Sequence, residues 1–254
     1  MALKGDAIIE FCEATFRRNG RALVAGLNLT VRCGETLVLL GRSGSGKTTT
    51  LKLINHLLTP TEGEVRVEGT ATTAWDVIRL RRRIGYVIQE VGLFPHFTIE
   101  RNVGLIPQLE GWDEGRIRQR VHELLRLVGL ESEQFARRYP HELSGGQRQR
   151  VGVARALAAD PPILLMDEPF GALDPITRME MQGEFRALQG RLNKTIVFVT
   201  HDVREAFTLA SRIGLLHESK LVALHPPNEF LELRDPVVRA FLEALRGWNA
   251  ASGT

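Results

Sequence analysis

The sequence predicts an α/β fold with a largely parallel sheet and a helix-rich insertion. Three observations carry that prediction. Apolar runs of strand length recur at residues 36–40, 163–166 and 195–199, and such runs fit strands buried on both faces. Segments with apolar residues at helical spacing alternate with them, as in βαβ units. The stretch 91–156 is dominated by helical patterning and interrupts the sheet.

Taken in order, residues 27–31 (LNLTV) alternate and read as a half-buried strand. The run 36–40 stops at Gly41, as a central strand would. From Lys47 to Leu57 the spacing predicts a helix with Leu51, Ile54, Leu57 and Leu58 on one face and Pro60 beyond its end. Residues 64–68 alternate again before Gly69, and 84–88 form the next strand. In 113–128 the apolar positions Ile117, Val121, Leu124, Leu125 and Val128 lie on one helical face, with Gly129 placed to end the helix. A further helix is expected over 147–158, a strand at 163–166, a helix over 176–192 and a strand at 195–200. Residues 247–254 (GWNAASGT) are expected to be a flexible tail.

Composition narrows the function. The chain has 254 residues, 43% hydrophobic and 25% charged, which is ordinary for a globular protein. A net charge of +3 is weak support for a nucleic-acid partner. Two cysteines, Cys12 and Cys33, exclude a disulfide scaffold and a Cys-rich metal site. No apolar run approaches the roughly 18 residues of a membrane helix, and residues 1–11 lack the apolar core of a signal peptide.

Residues 41–48, Gly41, Arg42, Ser43, Gly44, Ser45, Gly46, Lys47 and Thr48, fit G-x-x-x-x-G-K-[ST] between a predicted strand and a predicted helix. The glycines let backbone N–H groups curl around phosphate oxygens. The new helix points its positive end at the anion. Lys47 reaches the β- and γ-phosphates of ATP, and the Thr48 hydroxyl takes a position on Mg²⁺. Thr49, next in the helix, joins this nucleotide-binding set. The run Ile163, Leu164, Leu165, Met166, Asp167, Glu168 puts Asp167 at the C-terminal end of a buried strand, where open α/β sheets bind ligands. Asp167 is then a Mg²⁺ ligand and Glu168 the general base for water.

The third element is Leu143, Ser144, Gly145, Gly146, Gln147. Ser144 and Gln147 form a capping box, and the two glycines leave a second helix N-terminus with bare N–H groups. Two phosphate-binding ends in one chain imply a head-to-tail dimer with two composite nucleotide sites.

With Arg148, Gln149 and Arg150 after it, LSGGQ resembles the signature of the nucleotide-binding subunits of ABC transporters. The resemblance covers roughly residues 6–245. It implies an α/β P-loop NTPase with a RecA-like mixed-sheet core, an N-terminal antiparallel β subdomain and an inserted α-helical subdomain. Residues 1–246 would form one ATPase domain, with the RecA-like lobe at about 1–90 and 157–246 and the helical lobe at about 91–156. Residue by residue, the resemblance makes Gln89 the Q-loop glutamine that contacts Mg²⁺ and the γ-phosphate region. Asp174, in Gly171-Ala172-Leu173-Asp174, becomes the cross-dimer contact. His201 becomes the γ-phosphate histidine, and Phe16 the aromatic that stacks on adenine. ATP and Mg²⁺ are the implied cofactors, and ATP hydrolysis the implied activity. The implied partners are a second copy of the chain, separate permease subunits and, indirectly, a substrate-binding protein. The segment from Glu90 to Val103, with Val91, Leu93, Phe94, Phe97 and Ile99, is where a permease would dock. The implied location is the cytoplasmic face of the cell membrane.

A finer resemblance rests on 48–55 (TTTLKLIN), 84–89 (IGYVIQ), 92–99 (GLFPHFTI), 139–143 (YPHEL) and 174–178 (DPITR). These look like the ATPase subunits of osmoprotectant importers, which carry glycine betaine, choline, proline betaine or carnitine. Many of those subunits have C-terminal CBS domains, which are not expected here. His217-Glu218-Ser219-Lys220 replaces the family's common Asp-x-Gly turn. Two alternatives stand beside this reading: an ATPase for another small solute such as an amino acid, and a nucleic-acid-associated ABC ATPase. The second type splits its P-loop from its signature with a long coiled coil, and no heptad run separates Gly41 from Ser144.

Overall fold

The structure, a computed structural model, describes residues 6–89 and 91–251, with side chains as far as Glu243. In chain order its first half contains β1 (Ala7–Arg18), β2 (Arg21–Arg32), β3 (Thr36–Leu40), α1 (Lys47–Ile54), β4 (Glu62–Val67), β5 (Thr70–Ala71), α2 (Val77–Arg82), β6 (Ile84–Val87), α3 (Ile99–Leu109) and α4 (Glu114–Leu127). Then come α5 (Ser132–Phe135), a 3₁₀ turn (Pro140–Glu142), α6 (Gly145–Leu157), β7 (Ile163–Asp167), α7 (Pro175–Leu192), β8 (Thr195–Thr200), α8 (Val203–Leu209), β9 (Arg212–His217), β10 (Lys220–His225), α9 (Pro227–Glu232) and α10 (Pro236–Ala251). The chain divides into two compact units, residues 1–80 with 195–254, and residues 81–194. Among the described residues no helix is long and apolar enough to cross a membrane.

The first unit holds an antiparallel sheet in the order β2-β1-β4-β5. Strand β1 carries a kink where Glu13 takes φ 48° and the register with β2 shifts between Phe11 and Ala14. That bulge breaks the period of two, and it hid most of β1 and β2 from the sequence pattern. The unit also holds strands β9, β3 and β8, with β3 parallel to both neighbours, and β10 antiparallel to β9. Every residue of β3 is buried. Burying each of Leu37, Leu39 and Leu40 contributes about 1.5–3 kcal/mol relative to leaving it exposed.

Helix α1 packs against β2, β4 and β8. It ends three residues before the expected Leu57. His56 turns into the left-handed region at φ 52°, and the N–H groups of Leu57 and Leu58 both fold back onto the Lys52 carbonyl. Leu57, expected on the core face, is therefore 47% exposed.

The second unit pairs β6 with β7 in parallel, and its helices α3, α4 and α6 pack on one another. The division does not follow the lobes expected from sequence: β6, β7 and α7 group with the inserted helices. A Cβ on Gly85 of β6 would run into the Ala156 carbonyl of α6, so glycine permits this close strand–helix contact. Arg120 of α4 donates to the carbonyls of Leu157 (3.0 Å) and Ala158 (3.2 Å), tying α4 to the end of α6. Helix α4 is capped by Asp113, and Gly129 at φ 71° follows it where the pattern predicts the helix to end. Helix α10 continues through the first five residues of the expected tail, and residues 252–254 lie outside the described residues.

Candidate active site

In the first unit the loop after β3 has the geometry of a phosphate cradle. Gly46 takes φ 102°, and a Cβ there would strike the Leu23 carbonyl of β2. A Cβ on Gly41 would strike the Leu216 carbonyl and stand 2.5 Å from Ser45 Oγ. Gly44, at φ 78°, has open space on its Cβ side. Ser43 and Gly44 are exposed, and Thr48 and Thr49 are half-buried in the first turn of α1. Ser45 is 5% exposed, and its buried Oγ has no hydrogen-bond partner. Lys47, equally buried, donates to the carbonyls of Gly41 (2.8 Å) and Arg42 (3.0 Å), which keeps its ammonium inside the loop. Helix α1 has no side-chain cap and no acidic residue in its first turn. Its N–H groups and positive end are thus left to an external anion. The orphaned Ser45 hydroxyl, the two glycines that tolerate no Cβ and the acid-free helix start fit a polyphosphate.

Two more expected residues belong to this unit. Phe16 is half-buried on β1 opposite Val24, and Val24 Cγ2 lies 3.4 Å from the position of a Gly46 Cβ. His201 is exposed just after β8, whose last residue Thr200 pairs with Leu40, the residue before the cradle. The cradle and His201 thus leave the C-terminal ends of adjacent parallel strands, the edge where such sheets bind ligands.

In the second unit Asp167 ends β7 and is 5% exposed. The Tyr86 hydroxyl donates to its Oδ2 at 3.4 Å. Burial first, and then the charge of Asp167, push the Tyr86 phenol up, so it stays a donor. Glu168 adopts φ 44°, a left-handed conformation uncommon for this residue type. Its carbonyl accepts from the Gly171 N–H at 3.0 Å, closing the turn that leads to α7. Phe170, fully buried, meets Phe185 edge-on at 6.1 Å and anchors that turn. Gln89 is exposed just beyond β6.

The LSGGQ segment starts α6 as its capping box predicts. Ser144 Oγ accepts from the Gln147 N–H at 3.2 Å, and Gln147 Oε1 accepts from the Ser144 N–H at 3.0 Å. Asp174 caps α7, accepting from the Thr177 N–H at 3.1 Å. The side-chain and backbone bonds from Thr177 hold its carboxyl below the ordinary value. Arg178 straps the 171–174 turn by donating to the Leu173 carbonyl at 3.0 Å. Signature and turn pack together: a Cβ on Gly146 would stand 2.9 Å from Thr177, and one on Gly145 3.9 Å from Leu173.

Sequence reasoning passed over three residues of this unit. Tyr86 was legible only as a strand position. Arg155 of α6 donates to the carbonyls of Val91 and Gly92, both at 2.8 Å, and clasps the chain beyond Gln89. Burial lowers its guanidinium from the ordinary value. Asn102, fully buried, accepts from the Phe94 N–H (2.8 Å) and donates to the carbonyls of Phe94, Phe97 and Thr98. It shapes the loop expected to meet a permease. Within that loop Phe94 is exposed, whereas Ile99 and Val103 are fully buried, so these two are core and present no surface. Glu90, the first residue of that expected surface, lies outside the described residues.

Comparison with known proteins bears on this geometry. Residues 24–171 match the family model for ABC transporter domains. The chain is 51% identical over 230 residues to the glycine betaine/carnitine/choline transport ATP-binding protein OpuCA of Bacillus subtilis (strain 168), covering 91% of this chain and 60% of that one. It is 50% identical over 224 residues to the glycine betaine uptake system ATP-binding protein YehX of Escherichia coli (strain K12), covering 88% and 72%. The chain therefore spans about three fifths of the length of the first relative. Among solved structures it resembles the dimeric post-hydrolysis state of the ATP-binding cassette MJ0796 bound to ADP and Pi. The TM-score is 0.77 at 35% identity, over 87% of this chain and 99% of that one.

Proposed function

This chain belongs to the ABC transporter family, and from that premise we propose that it is the ATP-hydrolysing subunit of an importer of quaternary ammonium osmoprotectants. The observation that carries the proposal is the cradle at residues 41–48, with its buried, unpartnered Ser45 hydroxyl and its uncapped helix start. The relatives named for glycine betaine, carnitine and choline transport support the substrate class.

In this reading the backbone of 41–48 and Lys47 hold the ATP phosphates, and Phe16 stacks on the adenine. By the family resemblance, Mg²⁺ would be held by the Thr48 hydroxyl, the Asp167 carboxylate and the Gln89 amide oxygen. These are hard oxygen donors of the kind Mg²⁺ takes alongside phosphates. The ion, when bound, neutralises charge on the phosphate oxygens. Glu168 accepts the proton of the attacking water, and His201 donates toward the γ-phosphate. Ser144, Gly145, Gly146, Gln147 and Asp174 serve the nucleotide of a second copy in a two-fold dimer, and the similar MJ0796 cassette is dimeric. Permease subunits dock at the loop 91–98, and the chain works at the cytoplasmic face of the membrane. ATP draws two copies together, and loss of the γ-phosphate releases them.

Steady-state ATPase assays test the reading. Glu168→Gln is expected to lower kcat by about 10²–10⁴-fold while ATP binding persists. Lys47→Ala is expected to lose ATP binding. Undiminished turnover in the first variant removes Glu168 as base, and unchanged affinity in the second removes the cradle. Uptake of labelled glycine betaine, choline and carnitine, compared between cells with this chain and cells lacking it, tests the substrate class. Absence of uptake for all three overturns it.

A further inference from the structure

We propose that Glu205 is a positioning residue that fixes His201 at the end of β8, acting through the Thr200 hydroxyl. The inference rests on the reading of His201 as a γ-phosphate contact. Asp202 caps α8 by accepting from the Arg204 N–H at 2.8 Å, which makes Glu205 the third residue of the helix. At that position an acidic side chain ordinarily reaches back to the N–H of the cap residue, forming a capping box.

Here a hydroxyl is inserted into the box. The Asp202 N–H donates to Thr200 Oγ1 at 2.9 Å, and Thr200 Oγ1 donates onward to Glu205 Oε2 at 2.5 Å. The second distance is that of a charge-assisted O–H···O⁻ bond. The first closes a turn of Thr200 onto its own backbone two residues on. His201 is the residue that this turn encloses.

Its neighbours are therefore pinned on both sides. Thr200 is held in the ladder opposite Leu40 and by the carboxylate, and Asp202 is held by the Thr200 oxygen. The side chain of His201 is exposed at the same sheet edge as the phosphate cradle. Burial sharpens the argument. Glu205 is 3% exposed and Thr200 2%, whereas a capping box works at a helix surface. Sinking a carboxylate is costly unless it is bonded. The investment is explained if the relay sets the direction of the one exposed residue it surrounds.

The test is a double-mutant cycle on ATP hydrolysis by the full chain, with wild type, His201→Ala, Glu205→Ala, Glu205→Gln and the His201→Ala/Glu205→Ala pair. Glu205→Ala is expected to lower kcat by about tenfold or more, with KM for ATP changed less than about threefold. Glu205→Gln keeps an acceptor for the Thr200 hydroxyl and should retain more activity than the alanine variant. The pair should be no slower than His201→Ala by more than about twofold, because Glu205 acts only through the histidine. Multiplicative losses in the pair, or wild-type kcat in Glu205→Ala, overturn the proposal while leaving the ATPase reading intact. A wild-type chain with no ATPase activity overturns the parent reading and this one with it. If Glu205→Ala does not fold, Thr200→Ser and Thr200→Val decide: serine should preserve kcat and valine lose it, and equal rates overturn the relay.

Discussion

Gly46 takes φ 102° and leaves no room for a Cβ beside the Leu23 carbonyl, so two independent constraints meet at one position. Gly46→Ala should strain the backbone by about 1–3 kcal/mol and push the loop away from β2. The expected result is a lower denaturation midpoint together with weaker ATP binding, read by chemical unfolding and by titration with a fluorescent ATP analogue. Unchanged values in both would show that the loop relaxes freely. Glu168 stores strain of the same kind at φ 44°, beside the residue whose carboxylate Tyr86 holds. At Glu168 the surrounding packing, here Phe170 against Phe185, holds the turn in that conformation.

The helices show how a cap ties an element to a site. Asp174 caps α7, and bonds from Thr177 depress its carboxyl below the ordinary 3.8. A depressed acid contributes its stability above its unfolded value and loses it as pH falls through the lower, folded one. The stability difference between the wild type and Asp174→Asn should therefore be full near neutrality and shrink below about pH 4. Thermal melts across that range check it, and a difference independent of pH would remove the carboxylate as the cap. Local signals of this sort were legible in the sequence. The cradle at 41–48, the Ser144–Gln147 box and the helix stop at Gly129 each occupy a few adjacent residues. The illegible features depend on partners far along the chain. Arg155 meets Val91 and Gly92, Arg120 meets Leu157, and the bulge at Glu13 opposes β2. The left-handed turn at His56 that shortens α1 follows from the Lys52 carbonyl accepting two N–H groups, which no periodicity reports.

At the scale of the whole molecule, the sequence separated sheet from helices by composition of pattern, whereas the fold separates by packing. Strands β6 and β7 pair as sheet, yet Gly85 seats β6 on α6 and Arg120 ties α4 to the end of α6, in the same compact unit. The proposed two-fold assembly is also a whole-molecule property. Glu168→Gln with ATP and Mg²⁺ should elute at twice the monomer mass in light scattering, and with ADP as a monomer. A monomer in both conditions would sink the ATP-bridged dimer.

The clasp at Arg155 gives α6 a mechanical character. From Ser144 to Arg155 the helix extends about 17 Å at about 1.5 Å per residue. One end presents LSGGQ and the other grips the Val91 and Gly92 carbonyls. A tilt of about 5° about the gripped end carries Ser144 through about 1.5 Å, half the length of a hydrogen bond. The helix has the proportions of a lever arm: a tilt imposed at the loop beyond Gln89 would shift the signature by a distance on the scale of a hydrogen bond.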